Sequence, residues 1–342
     1  MTSVALRLLQ GVAPLVPRQL RHPLGGALGE ITGRRIVRRL SVLARGGAPI
    51  VAGPWLGEVG FELLYWVPFL NWFVERFAIA PDRMVVMSRG GTRDWYRSVA
   101  ASYRDVLDQM PPGEFRERNV SRASELGEQK QVRMTAFEQE LLRPVLTAAG
   151  VDEARVLHPS LMYALMRSYW WGHANLDWVE RYTRFRRFEP PTSVPGLDGL
   201  PREYTAVKFY YNESFPATPA NQAFARRVLS RLRAERPVVS LSTGLALDDH
   251  EGWEDEESLA AYGIRATLSP AKNLALQSAV VGGARAWAGT YGGFAYLAPF
   301  YGVRAEAYYS EPGGYSPWHL DLARHVFRGF SDTELLHVSQ VA

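Results

Sequence analysis

Short apolar runs alternate with amphipathic stretches twice along this chain, and that alternation constrains the fold more than any other feature. In the first series APIVAGPW (48–55), RMVVMS (83–88) and EARVLHP (153–159) read as buried strands. Helices are expected from about Phe61, over Asp94–Met110 and Phe137–Ala149, and in SLMYALMRSYWWG. In the second series YTAVKFYYN (204–212), PVVSLSTG (237–244), RAWAG (285–289) and VRAEAYYS (303–310) read as strands. Helices at Pro219–Glu235, 272–284 and GGFAYLAPFYG fall between them, and VRAEAYYS closes the series. Strands followed by helices build parallel sheets with helices on both faces. FEPPTSVPGLDGLP (188–201), with four prolines in fourteen residues, has the composition of a linker. The expected class is therefore α/β: two Rossmann-like domains facing a cleft, with a basic amphipathic arm in front. The divisions are an arm at 1–46, a first domain at 47–190, a linker at 191–201, and a second domain at 202–342 with C-terminal helices.

Charge separates the arm from the body. Residues 1–50 hold eight arginines and one acid, Glu30, a net of +7, so residues 51–342 carry −3 of the chain's +4. A nucleic-acid-binding body is more often basic itself, which argues against that partner. In the arm Ile36, Val37, Leu40 and Leu43 share a helical face flanked by Arg34, Arg35, Arg38 and Arg39. Two readings stand: residues 1–45 lie on an anionic membrane surface, or the helix packs on the body with its arginines in water. No apolar run approaches the 18 or so residues that span a bilayer. Arg7, Pro14, Pro17 and Arg18 interrupt any signal-peptide core. A cytoplasmic protein is expected, peripheral on the inner membrane face if the arm binds lipid. The chain has no cysteine, which excludes disulfides, a thiol nucleophile and Cys-ligated zinc.

GxxxxGK[ST], GxGxxG after the first strand, HExxH, GxSxG and Asp-x-Asp are all missing. The strongest positive signal is SPAKNLALQSAVVGGARAWAGTYGGFAYLAPFYGV (269–303). After its strand, Thr290, Tyr291, Gly292 and Gly293 stand where the next helix begins, and exposed N–H groups there would suit a phosphate. Lys208, Tyr211 and Asn212 end one neighbouring strand; Ser242, Thr243 and Gly244 end another. Lys272 and Asn273 lie nearby in sequence, and ligands of such sheets bind beyond the carboxyl ends of strands. Ordinary turns and caps favour the same residue types.

The block 269–303 resembles the C-terminal half of GT-B glycosyltransferases, particularly the heptosyltransferase-like and fucosyltransferase-like groups. The loop GEVGFE (57–62) is similar to the first-strand loop of those enzymes, although Gly60-Phe61-Glu62 stands where the fucosyltransferase type has Gly-Asn-Gln. The resemblance implies a nucleotide-sugar held mainly by the second domain and a saccharide or glycolipid acceptor held by the first. It also implies no cofactor and, as a rule, no metal.

Glycosyl transfer needs a base for the acceptor hydroxyl and dipoles or cations for the departing diphosphate. Glu58 follows the first strand in a glycine-flanked loop and corresponds to the acidic residue of heptosyltransferase-like loops. Glu62, four residues on, is the second carboxylate candidate, or else a helix-start residue favoured by the helix dipole. In DDHEGWEDEE (248–257), Asp249 and His250 are candidate donor contacts. Trp55 and Trp95, at strand–loop junctions, are candidate acceptor platforms. The expected activity is metal-independent, inverting transfer to an envelope polysaccharide or glycolipid. A nucleotide-sugar epimerase or hydrolase of the same architecture, and a non-catalytic binding protein that kept the fold, stand beside it.

Overall fold

Two parallel sheets carry the chain. The computed structural model describes residues 18–190, 197–243, 251–252, 262 and 269–341. Helix α1 (Arg18–Ala44) leads to β1 (Ile50–Ala52) and then to a continuous helix over 59–76, labelled α2. Strands β2 (Met84–Ser88) and β3 (Ser102–Asp105), helices α3 (Pro112–Leu126) and α4 (Ala136–Ala149), strand β4 (Val156–Leu157), and helices α5 (Ser160–Trp170) and α6 (Leu176–Arg181) follow. The four strands pair in parallel in the order β3-β2-β1-β4.

The second series runs β5 (Thr205–Lys208), β6 (Tyr210–Tyr211), α7 (Pro219–Glu235), β7 (Val238–Ser240), β8 (Glu251–Gly252), α8 (Asn273–Gly283) and β9 (Ala286–Thr290). It ends with α9 (Gly293–Phe300), β10 (Arg304–Tyr309), α10 (Pro317–Arg328) and β11 (Leu336–Gln340). Five of these strands form a second parallel sheet ordered β11-β10-β9-β5-β7, while β6 and β8 make a small antiparallel pair. β1 and β7 are buried throughout, as strands covered on both faces by helices must be. The strand order reverses between β1 and β4 in one sheet and between β5 and β9 in the other. At such reversals the crossovers diverge to opposite faces and leave a crevice at the carboxyl ends.

Three expectations change. Asp94–Met110 is not a helix: short 3₁₀ turns at Thr92–Tyr96 and Val106–Asp108 flank the edge strand β3. The apolar spacing of Val99, Tyr103 and Val106 imitates a helix, but strand alternation brings Tyr103 and Asp105 to one side, where their side chains bond. The series is closed not by β10 but by β11, which pairs with β10 from Ala305 to Tyr309. In the arm, Ile36, Leu40 and Leu43 are buried and α1 packs on α5, so the apolar face expected to meet lipid belongs to the core.

One apolar cluster runs through both sheets, from Ile50, Leu64 and Trp66 to Val239, Trp287 and Leu336. Polar contacts join the halves as well. The Ala275 amide donates to the Gly90 carbonyl (2.9 Å), the Phe188 amide to Phe300 (2.8 Å), and Tyr65 on α2 bonds His319 on α10 (2.6 Å). Among the described residues no helix is long and apolar enough to cross a membrane.

Candidate functional site

The loop after β1 is tied down before α2 begins. The Trp55 amide donates to the Met87 carbonyl (2.9 Å) and the Leu56 amide to Gln131 Oε1 (3.0 Å). Arg89 donates to the Gly57 carbonyl. Glu58 then takes the N-cap position in extended backbone, and no side-chain bond caps the helix. Its carboxylate is exposed at the end of the strand beside the first sheet's reversal.

On the second sheet β9 ends at Thr290, Gly292 is extended, and α9 starts at Gly293, again with no side-chain cap. The two helix starts meet. A Cβ on Gly293 would lie 2.6 Å from the Gly60 amide nitrogen and 3.0 Å from Val59 Cβ. One on Gly60 would lie 3.3 Å from Gly293 Cα. At position 293 only a glycine allows this approach of backbone to backbone without a shift. The first turn of any α-helix holds N–H groups without intrahelical acceptors, and the macrodipole adds partial positive charge. Two such ends converge here beside Glu58, with Val59, Gly60, Gly292 and Gly293 all half-exposed. The structure thus brings together the loop 57–62 and the turn 290–293.

Lys208, at the end of β5, reaches the same place. Its ammonium donates to Gln277 Oε1 (2.6 Å) and lies 3.8 Å from the ring centroid of Phe294, the second residue of α9. Asn273, buried, accepts from Gln277 Nε2 (2.9 Å) and supports that chain, while Lys272 is exposed beside it.

An aromatic mouth borders the seat on the first-sheet side. Lys130 stands 5.6 Å from the Phe61 ring and 5.4 Å from Trp170, and the His319 ring packs edge-on against Phe61 at 4.8 Å. Burial, with Lys130 nearby, lowers the His319 pKa to about 4, so the imidazole is neutral at pH 7. Its Nδ1 is engaged with the Tyr65 hydroxyl. None of Lys130, His319, Tyr65 and Trp170 is signalled by a motif. A signal lies in spacing alone: Phe61 and Tyr65 are four apart, hence on one helix face.

Glu62 occupies different surroundings one turn into α2, in a π-helical stretch (Glu62–Trp66). It is fully buried, and its Oε1 accepts from Ser88 (2.6 Å), Tyr96 and Thr92 (3.5 Å). Its Oε2 has no hydrogen-bond partner. Burial pushes the carboxyl up to about 7, against the opposing pull of Arg89 and the hydroxyls of Ser88 and Tyr96. Asp105 anchors the neighbouring loop by accepting from the Gly91 amide (2.6 Å) and Tyr103 (2.9 Å). Enclosed in this way, Glu62 is neither a base open to substrate nor an exposed helix-start residue.

Several other candidates are occupied structurally. Thr290 is fully buried; its hydroxyl accepts from the Tyr210 amide (3.0 Å) and donates to the Tyr210 carbonyl (2.7 Å), leaving no proton for a phosphate. Tyr291 is buried against Tyr296, hydroxyl to hydroxyl at 2.6 Å. Asn212 accepts from Ser214 and the Phe215 amide in a tight turn, and Tyr211 stacks on Phe215. Ser242 and Thr243 leave β7, one strand outside the reversal, where the Ser242 amide leans on Ser240 Oγ (3.4 Å).

Neither tryptophan platform is open. Trp55 is sandwiched between Trp66 and Tyr163. Trp95 stacks on Phe188 and donates to Ser278 (3.2 Å). Both are core, as large aromatics at strand ends often are. Gly244, Asp249 and His250 lie outside the described residues. Among those described, no cluster of His, Asp or Glu could hold a metal ion.

No protein-family model matches the chain, and comparison with curated proteins finds no match either.

Proposed function

We propose that this protein is a glycosyltransferase of GT-B type, with the diphosphate of a nucleotide-sugar seated where α2 and α9 begin. The observation that carries the reading is the contact of Gly60 with Gly293, which brings two uncapped helix starts together beside an exposed carboxylate. In this reading the two sheets act as acceptor and donor halves around that point. Helix-start amides and Lys208 take up the charge that develops on the leaving diphosphate. Glu58 removes the proton from the acceptor hydroxyl, and inversion follows from direct attack on the anomeric carbon. Phe61 and Trp170 give the acceptor ring apolar faces, with Lys130 and His319 as polar contacts at the rim. The charge is met without a metal, as the resemblance to GT-B enzymes implies.

A thermal-shift series with UDP, GDP, ADP and CMP tests the seat. At a hundred times Kd a ligand of the folded state adds about 2.7 kcal/mol, so one nucleoside diphosphate should raise Tm by several degrees. No shift with any of the four would overturn the reading. Release of free sugar from the donor in water alone, with no acceptor product, would favour a hydrolase instead.

A further inference from the structure

Five of the six large apolar side chains exposed among the described residues lie in adjoining parts of the fold. Leu28, Ile31 and Val42 are on α1, Trp171 follows α5 directly, and Trp318 opens α10. The elements touch at this edge. A Cβ on Gly25 of α1 would lie 2.4 Å from the His173 ring, and that ring stands 6.4 Å from Trp171. One on Gly172 would lie 3.6 Å from Trp318.

The helix itself has two unlike faces. Gly29, Gly33, Ile36, Leu40 and Leu43 are buried, the two glycines against Ser168, Trp178 and Tyr182. Leu28, Ile31, Arg35, Arg38, Arg39 and Val42 fall on a single exposed stripe, with Arg34 at its margin. The acid Glu30 is already engaged by Arg181 (2.7 Å), so the stripe keeps its positive charge.

We infer that this edge docks on an anionic lipid bilayer. Arginines interleaved with aliphatic side chains are the composition of helices that lie in a membrane interface, and tryptophan favours the headgroup level. A second copy of the chain meeting the same face about a two-fold axis would set arginine against arginine. Docking also fixes where the mouth lies, because Trp170 and His319 are the sequence neighbours of Trp171 and Trp318. Headgroup-level contact by the exposed pair brings the Phe61–Lys130 mouth to the lipid surface. If the transferase reading holds, on which this last step rests, the acceptor saccharide is carried on a lipid.

Co-sedimentation of the full chain with phosphatidylglycerol/phosphatidylcholine vesicles, against phosphatidylcholine alone, tests the docking. Binding is expected only to the anionic vesicles. Replacing Arg34, Arg35, Arg38 and Arg39 together by Gln should weaken it on the order of a hundredfold, while the four-fold change to Lys keeps it. Brominated lipid should quench tryptophan fluorescence of the unaltered chain, and quenching should drop in W171F/W318F. Equal pelleting of the Gln variant, no binding to anionic vesicles, or quenching unchanged in W171F/W318F would overturn the inference. The nucleotide thermal shift reports separately: its loss with vesicle binding intact counts against the transferase reading alone.

Discussion

Two carboxylates stand one helical turn apart at the start of α2, in opposite surroundings. Glu62 faces inward, where Ser88, Thr92 and Tyr96 crowd a single oxygen and burial favours the protonated form. Glu58 faces outward, exposed at the uncapped end where α2 meets α9. The pair shows that polar residues beyond a strand end have two separate uses. Some are buried where they tie loops to the sheet, as Thr290 and Asp105 are; others, such as Glu58, stay exposed at the surface. Residue type does not separate these uses, because both draw on Glu, Ser, Thr and Tyr. Burial does.

The inner region has the largest expected effect. A carboxyl that titrates near 7 when folded and near 4.5 when unfolded is a net cost once ionised in both states. The folded chain binds the extra proton between those values, so stability falls as pH rises from about 4.5 to about 7 and then levels. The loss is about 3 kcal/mol. Glu62→Gln should flatten the dependence of Tm on pH over this window; an unchanged slope would mean that Glu62 is ionised in the fold.

Thr290→Val should cost about 2 kcal/mol, because both backbone groups of Tyr210 lose their buried partner. Nucleotide affinity of the folded variant should be unchanged. A selective loss of affinity without loss of stability would return Thr290 to the seat.

The glycine contact gives the finest comparison. Gly293→Ala places a methyl against the Gly60 amide, whereas Gly60→Ala meets only Gly293 Cα at 3.3 Å and ring atoms of Tyr296 at ordinary contact distance beyond. The first should be less stable than the second by about 1 kcal/mol, and should lose the nucleotide thermal shift while the second keeps part of it. Equal behaviour of the two variants would contradict a close backbone crossing at this point.

Much of the frame was legible in the residues. Runs such as RMVVMS and RAWAG are short, β-branched or small, and bounded by turn residues, so buried parallel strands follow from pattern alone. Glu58 and the 290–293 turn could be placed at strand exits for the same reason. Their contact could not, because the approach of Gly60 to Gly293, more than two hundred residues apart in the chain, depends on how the two sheets pack. Edge strand β3 was hidden by helix-like spacing, since only pairing with β2 and the Tyr103–Asp105 bond separate the alternatives. Lys130 and His319 were invisible for a plainer reason: each stands alone in its segment, and only the fold carries them to Phe61. Of the arm's two readings, packing on the body is the one the structure shows. Its expected apolar face is core, and the residues left outside form a stripe defined only by what the core removes.

The central claim is that Glu58 serves as base at a diphosphate seat formed by two helix starts. Glu58→Gln, assayed for transfer once the thermal-shift series has identified a donor, tests it most directly. Unchanged nucleotide binding and a fall in turnover of about 10²- to 10⁴-fold are expected. Turnover retained in full, with the donor still bound, would contradict it.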